Sequence, residues 1–374
     1  MSDQRTVIAM LDGFGQDYAD AQPLPTLNAI RDQGGSTLVK AMMPSVTNTN
    51  NVSIACGVPP AVHGITGNFY FDPETGTGDY MEDQAFVLAP TVIERARDRG
   101  VRSALLTSKE KTVRLLGRGA DLAVAAENPP PALTQRYGPP PEIYSAEINH
   151  WLWEVAVDLL REEPEIGLLY VHTTDFPMHE WAPQDERSQD HLRSLDALIG
   201  EALRTAPDAR LLATADHGMN RKRRCWDLGR ACAERDAPLR IAISAEKDRY
   251  VRHHRTFGGT AYVWLRTPGD RHRVADAIRE LDGVEEVLDR AGAAARLRLH
   301  PGRIGDLVVL GDADTVFGDL DGGAALELLP DGYRSHGSLH ELEVPLYVCG
   351  QRGDGAPADG HLDNFDLTRH LYRD

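Results

Sequence analysis

Six side chains with metal-ligating chemistry fall at the ends of short apolar runs in this 374-residue chain. Asp12 follows TVIAML. Asp175 and His179 follow GLLYVH, within TTDFPMHEW. Asp216 and His217 follow RLLATA, within DHGM, and His336 lies in RSHGSLH just ahead of VPLYVC. If these runs are strands of an open α/β sheet, their carboxyl ends line one edge, where ligands bind. Taken singly, each residue has an ordinary explanation. An Asp after a strand caps the next helix, and Asp and His four apart make a helix-surface pair. Taken together they share one rim, which separate accidents do not explain. Carboxylate and imidazole donors without thiolate suit Zn2+, Mn2+ or Fe2+. Six donors serve two such ions with positions left open, and two ions can clamp the attacking and leaving oxygens of a phosphoryl displacement.

The stretch from Met43 to Ile65, MPSVTNTNNVSIACGVPPAVHGI, begins a predicted helix with five consecutive hydroxyl and amide residues. Capping requires only one. Beside two metal ions the surplus has a use: Thr47 becomes the candidate nucleophile, because a metal makes a hydroxyl easier to deprotonate. The helix N-terminus then faces the anion under attack. Asn48, Thr49, Asn50 and Asn51 are expected to cap this helix and hold its loop, and the small residues of SIACG to pack closely beneath. Lys109 and Lys111 follow SALLTS. They are either a solvated face or the local cations that an anionic ligand needs in so acidic a protein.

The elements that must position these residues form an alternating pattern. TVIAML, SALLTS, GLLYVH, RLLATA and VPLYVC read as buried strands. LAPTVIERARDRG, NHWLWEVAVDLLREE and DERSQDHLRSLDALIGEALRTA read as helices between them. Strand alternating with helix predicts an α/β protein whose mostly parallel sheet lies between helices. NPPPALTQRYGPPPEIY reads as a surface loop. GGTAYVWLR, TPGD, RHRVADAIRELDG and VEEVLDR read as strand, turn, helix and strand, an α+β cap inserted before the last core strand. The expected division is a discontinuous metal-binding core, 1–219 and 332–374, and an inserted cap, 220–331. A net charge of −17 argues against nucleic acid as a partner. No apolar run reaches the ~18 residues of a membrane span. The start MSDQRTVIAMLDGFG has no basic region followed by a long apolar stretch, so no leader is expected. Cys56, Cys225, Cys232 and Cys349 show no paired spacing, which suggests a reducing, cytoplasmic setting.

The strand-end Asp12, TNTNNVSIACGVPPAVHGITGNFYFD, TSKEK, TTDFPMH, TADHGM, RSHGS and RIGDLVVLGDADTVFG together resemble the alkaline phosphatase superfamily. The resemblance is to its nucleotide pyrophosphatase/phosphodiesterase-like branch, and most particularly to the phosphonoacetate hydrolases. It spans nearly the whole chain. It implies an alkaline-phosphatase-like core and two divalent ions, most suitably zinc. One ion would be held by Asp175, His179 and His336, the other by Asp12, Asp216, His217 and Thr47. It also implies that Asn68 contacts a phosphonate oxygen and that Lys109 and Lys111 receive a substrate carboxylate. Thr49 stands where that family is expected to carry proline. The implied activity is cleavage of the carbon–phosphorus bond of phosphonoacetate to acetate and phosphate through a phosphothreonine. The implied partner is a small-molecule phosphonate, with no nucleic acid or membrane and with a homodimer allowed. The rival reading is a nucleotide pyrophosphatase/phosphodiesterase acting on phosphate diesters. It would need an apolar slot for a base, and Phe69, Tyr70 and Phe71 are on hand, though core packing is their simpler role. His253 and His254 in the cap are left unassigned.

Overall fold

A computed structural model of the chain describes residues 4–249, 254–350 and 362–373. At its centre is a seven-stranded sheet in the spatial order Ser36–Lys40, Glu343–Cys349, Arg210–Thr214, Thr6–Met10, Ile166–His172, Arg102–Thr107, Leu122–Ala125. Every pairing is parallel except those of Glu343–Cys349, which runs antiparallel to both neighbours. Thr6–Met10 is wholly buried, as is expected of a strand covered on both faces. The five predicted core strands are all present. The two added strands, Ser36–Lys40 and Leu122–Ala125, lie at the sheet edges and are only partly buried.

Helices pack around this sheet where the apolar period requires them. Glu147–Glu162 buries Ile148, Trp151, Leu152, Val155, Ala156 and Leu159 along one stripe, and it lies against Glu186–Thr205. Val92–Asp98 opens with a full capping box: the Thr91 hydroxyl accepts from Glu94 N, and the Glu94 carboxylate accepts from Thr91 N. The proline-rich stretch departs from the expected loop. Pro131–Tyr137 is a helix that begins on a proline, where no backbone N–H is needed.

Between the strand Arg210–Thr214 and the strand Glu343–Cys349 lies a second, four-stranded sheet. Its order is Ile241–Ser244, Thr260–Trp264, Leu307–Gly311, Val284–Asp289, all antiparallel, with the helix Arg271–Arg279 beside it. Where this segment leaves and returns, Asn220–Arg221 pairs with Arg334–Ser335. One face of the second sheet packs Tyr262, Trp264, Val308 and Leu310 against Met43, Val46 and Phe71. That face therefore meets the loop leading into the Thr47 helix. Among the described residues no helix is long and apolar enough to cross a membrane.

Candidate metal centre

Thr47 is the first residue of the helix Thr47–Cys56. The expectation that its neighbours cap this helix does not hold. The capping position is Val46, without a side-chain cap, and Asn48 to Asn51 lie inside the helix and are buried. They work as ties instead. The Asn50 side chain accepts from Met42 N and donates to Met42 O, Pro44 O and Val46 O. Asn51 Oδ1 accepts from the Tyr170 hydroxyl at 2.6 Å, and the Asn48 amide donates to Met81 O. The loop before Thr47 is thus held by the Asn50 amide from the helix behind it. Thr49, also fully buried, makes no side-chain hydrogen bond among the described residues. The helix ends at Gly57 in the left-handed region, with φ of 66°, where an added Cβ would lie 2.7 Å from the Cα of Arg369.

The six predicted ligands do converge. Thr47 Oγ1 lies 3.5 Å from Asp12 Oδ1 and 3.3 Å from His217 Nε2. Asp12, Asp216 and His217 bring donor atoms within 4.8 Å of one another. Beside them Asp175 Oδ2 stands 2.8 Å from His179 Nε2 and 3.6 Å from His336 Nε2. Asp175, His217 and His336 form a second close group, and the His217 and His336 rings stack with centroids 3.7 Å apart. His336 therefore lies between the two expected trios and joins them through Asp175 and His217. Asp12 caps no helix, since the next begins at Gln16 with Gly15 as its cap. Asp175 does stand at the cap position of Phe176–Glu180, which places His179 one turn on, buried and facing inward.

One device orients these histidines. The Nδ1–H of His179 donates to Arg334 O, that of His336 to Ser45 O, and that of His217 to Gly218 O, each at 2.9 Å. Every Nε2 is thereby left to face the cluster, as in metal-binding histidines generally. The His336 loop is fixed by Gly337, whose φ of 104° and 2.8 Å approach of a would-be Cβ to Gly259 N exclude other residues without strain.

The electrostatics favour a cation here. Burial, and then the charges of Asp175 and Asp216, push the Asp12 carboxyl up to about 8. Burial pushes Asp216 up to about 7, although hydrogen bonds from Asp12 and backbone groups oppose it. Burial acts on Asp175 in the same sense but is outweighed by His179, which holds it well below the carboxylate range. Burial and the neighbouring His217 and His179 keep His336 neutral. Asp216 Oδ2 and His336 Nε2 are buried without a hydrogen-bond partner among the described residues. Three buried carboxylates beside three imidazoles, with donor atoms left over, fit divalent metal ions.

Asn68 and the lysines lie where the second sheet meets this rim. Asn68 N donates to Ala245 O at 2.9 Å, while its buried Oδ1 has no partner among the described residues. Lys109 stands at the start of the helix Glu110–Leu116 and is partly exposed, and it contributes to the field on Asp175. Lys111 differs from the expectation of an open cation. It is buried and its Nζ lies 2.5 Å from Asp248 Oδ2 in the inserted segment. Burial pulls its ammonium down, and Asp248 more than offsets this. Glu246, also buried, is pushed well above the carboxylate range, with Lys111 only partly opposing burial. A cavity of about 60 Å³ opens beside Lys109 and Lys111, closed on its other side by Ile143 and Tyr144.

Three residues at the rim went unsingled in the sequence. His172 ends the GLLYVH strand. Its Nε2 lies 3.4 Å from Asp12 Oδ2, and its Nδ1 meets the Thr107 hydroxyl at 2.9 Å. A histidine ending a buried strand next to TTD was the available signal. Glu246 and Asp248 offered none, because their partner Lys111 is far away in the sequence. His254 stacks on His179, whereas His253 lies outside the described residues. Of the aromatics considered for a base slot, Phe71 packs edge-on against Trp264 and Phe69 against Tyr80.

The chain is similar over 99% of its length to the crystal structure of phosphonoacetate hydrolase from Sinorhizobium meliloti 1021 in complex with phosphonoacetate. Identity is 32%, 95% of that chain is covered and the TM-score is 0.87. The same enzyme in complex with phosphonoformate gives 31% identity and a TM-score of 0.88. Murine ectonucleotide pyrophosphatase/phosphodiesterase 5 shares the fold at 16% identity, with a TM-score of 0.68 over 97% of this chain and 93% of that one. Among curated proteins, an ectonucleotide pyrophosphatase/phosphodiesterase of Caenorhabditis elegans is 46% identical over 68 residues, 18% of this chain. A venom phosphodiesterase of Naja atra is 21% identical over 228 residues, 57% of this chain. These curated relatives are longer proteins, of which the matched stretches make up 8% and 26%. The model of the type I phosphodiesterase / nucleotide pyrophosphatase family matches residues 6–339. With its mostly parallel sheet and its rim of aspartates and histidines, the chain belongs to that family of hydrolases, within the alkaline-phosphatase-like superfamily.

Proposed function

We propose that the protein is a metal-dependent phosphonoacetate hydrolase, cleaving the carbon–phosphorus bond to give acetate and phosphate. The observation that carries this reading is the pair Lys109 and Lys111 beside a rim that already holds Thr47 and six metal-competent donors. Similarity to phosphonoacetate hydrolase over almost the entire chain supports it. Asp175, His179 and His336 would hold one ion, and Asp12, Asp216, His217 and Thr47 the other. The donors favour zinc, with manganese or iron(II) also accommodated. When bound, the ions supply positive charge for the phosphonate oxygens and acidify nearby hydroxyls.

Thr47 Oγ attacks phosphorus in line with the carbon that leaves. As the Oγ–P bond forms the C–P bond breaks, and its electron pair stays on carbon. In a simple alkylphosphonate that would be an unstabilised carbanion. In phosphonoacetate it departs as an enolate, with charge spread onto the carboxylate. Lys109 and Lys111 are placed to stabilise that charge as it develops, and the Asn68 side-chain N–H to orient the phosphonate. The ion pair with Asp248 keeps Lys111 buried instead of out in solvent. A proton then goes to carbon, which completes acetate, and water hydrolyses the phosphothreonine to free Thr47. The inserted segment 220–331 acts as a cap on a core of 1–219 and 332–374, since the turn after its strand Ile241–Ser244 brings Ala245 to Asn68 and Asp248 to Lys111. The four unpaired cysteines favour a reducing, cytoplasmic compartment.

Lys109→Ala is the informative variant, because Lys109 is partly exposed and its removal strands no buried charge. Its kcat/KM for phosphonoacetate should fall about a hundredfold, while cleavage of bis-p-nitrophenyl phosphate changes little. Equal losses on both substrates would remove the carboxylate clamp. The diesterase reading keeps the same metals and Thr47, but Phe69, Tyr70 and Phe71 pack on Tyr80, Phe86 and Trp264.

A further inference from the structure

Among the rim histidines, His172 is oriented the opposite way from His179, His217 and His336. It ends its strand in register with Met10 on one side and Thr107 on the other, which sets it beside the chain that turns into Asp12. The ring is buried. Its Nδ1 lies 2.9 Å from the Thr107 hydroxyl and 3.4 Å from the Asn51 side-chain nitrogen. Its Nε2 lies 3.4 Å from Asp12 Oδ2 and makes no hydrogen bond elsewhere among the described residues.

Asn51 fixes which ring nitrogen carries the proton. The Tyr170 hydroxyl is 2.6 Å from Asn51 Oδ1, a length that suits O–H···O and is short for N–H···O. The amide oxygen therefore faces Tyr170, and the amide N–H, which can only donate, faces His172 Nδ1. Nδ1 is the acceptor, and the proton sits on Nε2, towards Asp12. The three ligand histidines carry theirs on Nδ1, which leaves Nε2 free for an ion. A histidine held as His172 is cannot ligate through Nε2, but it can hold a ligand. Asp12 is divided in the same sense: Oδ2 faces His172, while Oδ1 lies 3.5 Å from Thr47 Oγ1 and 3.6 Å from His217 Nε2. At 3.4 Å the His172 contact is long for a hydrogen bond. A buried imidazole N–H nonetheless needs an acceptor, and Asp12 Oδ2 is the one it faces.

We propose that His172 is a positioning residue whose Nε2–H holds Asp12 Oδ2, so that Oδ1 is presented to the ion and to Thr47, with Asn51 setting the tautomer that allows it. This rests on the two-metal reading above and adds to it a support from outside the ligand set. It also gives one of the surplus amides of TNTNN a task at the site.

The test has two parts, both on the full chain. In the zinc-loaded unaltered protein, long-range proton–nitrogen correlation NMR of the histidine rings should show His172 protonated at Nε2. Protonation at Nδ1 with Nε2 bare would overturn the proposal without recourse to any variant. In the second part the metal-free protein, His172→Phe and His172→Gln are titrated with Co2+, read by equilibrium dialysis and visible absorption. The unaltered protein should bind two ions. His172→Phe keeps the bulk but not the N–H. It should bind one of the two ions at least about tenfold more weakly, with the spectrum of that ion alone altered. His172→Gln, which can place an amide N–H near the position of Nε2, should recover most of the loss. Unchanged affinity and spectrum in His172→Phe would overturn the proposal. Equal weakening of both ions, or a His172→Gln variant no better than His172→Phe, would do the same. Failure of the unaltered protein to bind two ions would instead remove the two-metal reading, and this proposal with it.

Discussion

At the scale of single residues, the site is a solution to an electrostatic problem. Asp12, Asp175 and Asp216 are buried side by side, and burial together with their mutual repulsion opposes keeping all three ionised. Both raised groups give up protons when a cation binds. Below their raised values, near pH 6, Asp12 and Asp216 are protonated in the metal-free fold, so zinc must displace those protons. Zinc added to the stripped protein in weak buffer at about pH 6 should release close to two protons per chain, fewer as pH rises through about 8. Affinity should rise over the same interval. Proton release near zero across that range, measured by calorimetry in buffers of different ionisation heat, would contradict the account. Thr47→Ala should lower turnover by several orders of magnitude while both ions still bind, since six donors remain; near-normal turnover would remove Thr47 from its role. The candidate ligands were legible in the sequence because each sits just after an apolar strand or, for His336, just ahead of one, a local signal. Glu246, Asp248 and His254 were not, because what makes them notable is a contact with Lys111 or His179 across a long sequence separation.

At the scale of elements, the loop carrying His336 shows how position is secured. Glu341 accepts from Ser338 N and from its hydroxyl, at 2.8 and 2.7 Å, and pairs with Lys222 Nζ at 2.7 Å, both side chains being wholly buried. Lys222 also donates to Ala313 O, which ties the inserted segment to this loop. Burial would raise the Glu341 pKa, yet Lys222 and the Ser338 bonds outweigh it and hold the carboxyl below its usual value. A depressed carboxylate contributes stability above its unfolded pKa and loses it as pH falls through the folded one. The pair therefore stabilises at neutral pH and weakens only in acid. Lys222→Met strands a buried carboxylate and should cost about 3–5 kcal/mol, read from the urea midpoint at pH 7, with a smaller loss near pH 4. A cost below about 1 kcal/mol would mean that the loop is held by other means. The long helices Glu147–Glu162 and Glu186–Thr205 were readable from their apolar period. The helix Pro131–Tyr137 was hidden by flanking prolines, and the strand Ser36–Lys40 by being half exposed at a sheet edge. The same reasoning misplaced the TNTNN amides. They looked like caps because capping is a local signal, whereas their actual partners, Met42, Met81 and Tyr170, are set by the tertiary fold.

At the scale of the whole molecule, a discontinuous sheet and an inserted one meet over a single rim. The core contributes Thr47, the aspartates and three histidines, and the insertion contributes the groups around Lys111 and Asn68. Strong chelation should abolish activity, and zinc should restore it. The central claim is the carbon–phosphorus cleavage itself. Its most direct measurement is phosphate and acetate release from phosphonoacetate by the zinc-loaded protein, run beside methylphosphonate, 2-aminoethylphosphonate and bis-p-nitrophenyl phosphate. The account predicts rapid release of phosphate and acetate in equal amounts from phosphonoacetate, and little from the other phosphonates, whose leaving carbons have no carboxylate to carry the charge. Rapid cleavage of the diester with no acetate from phosphonoacetate would contradict it.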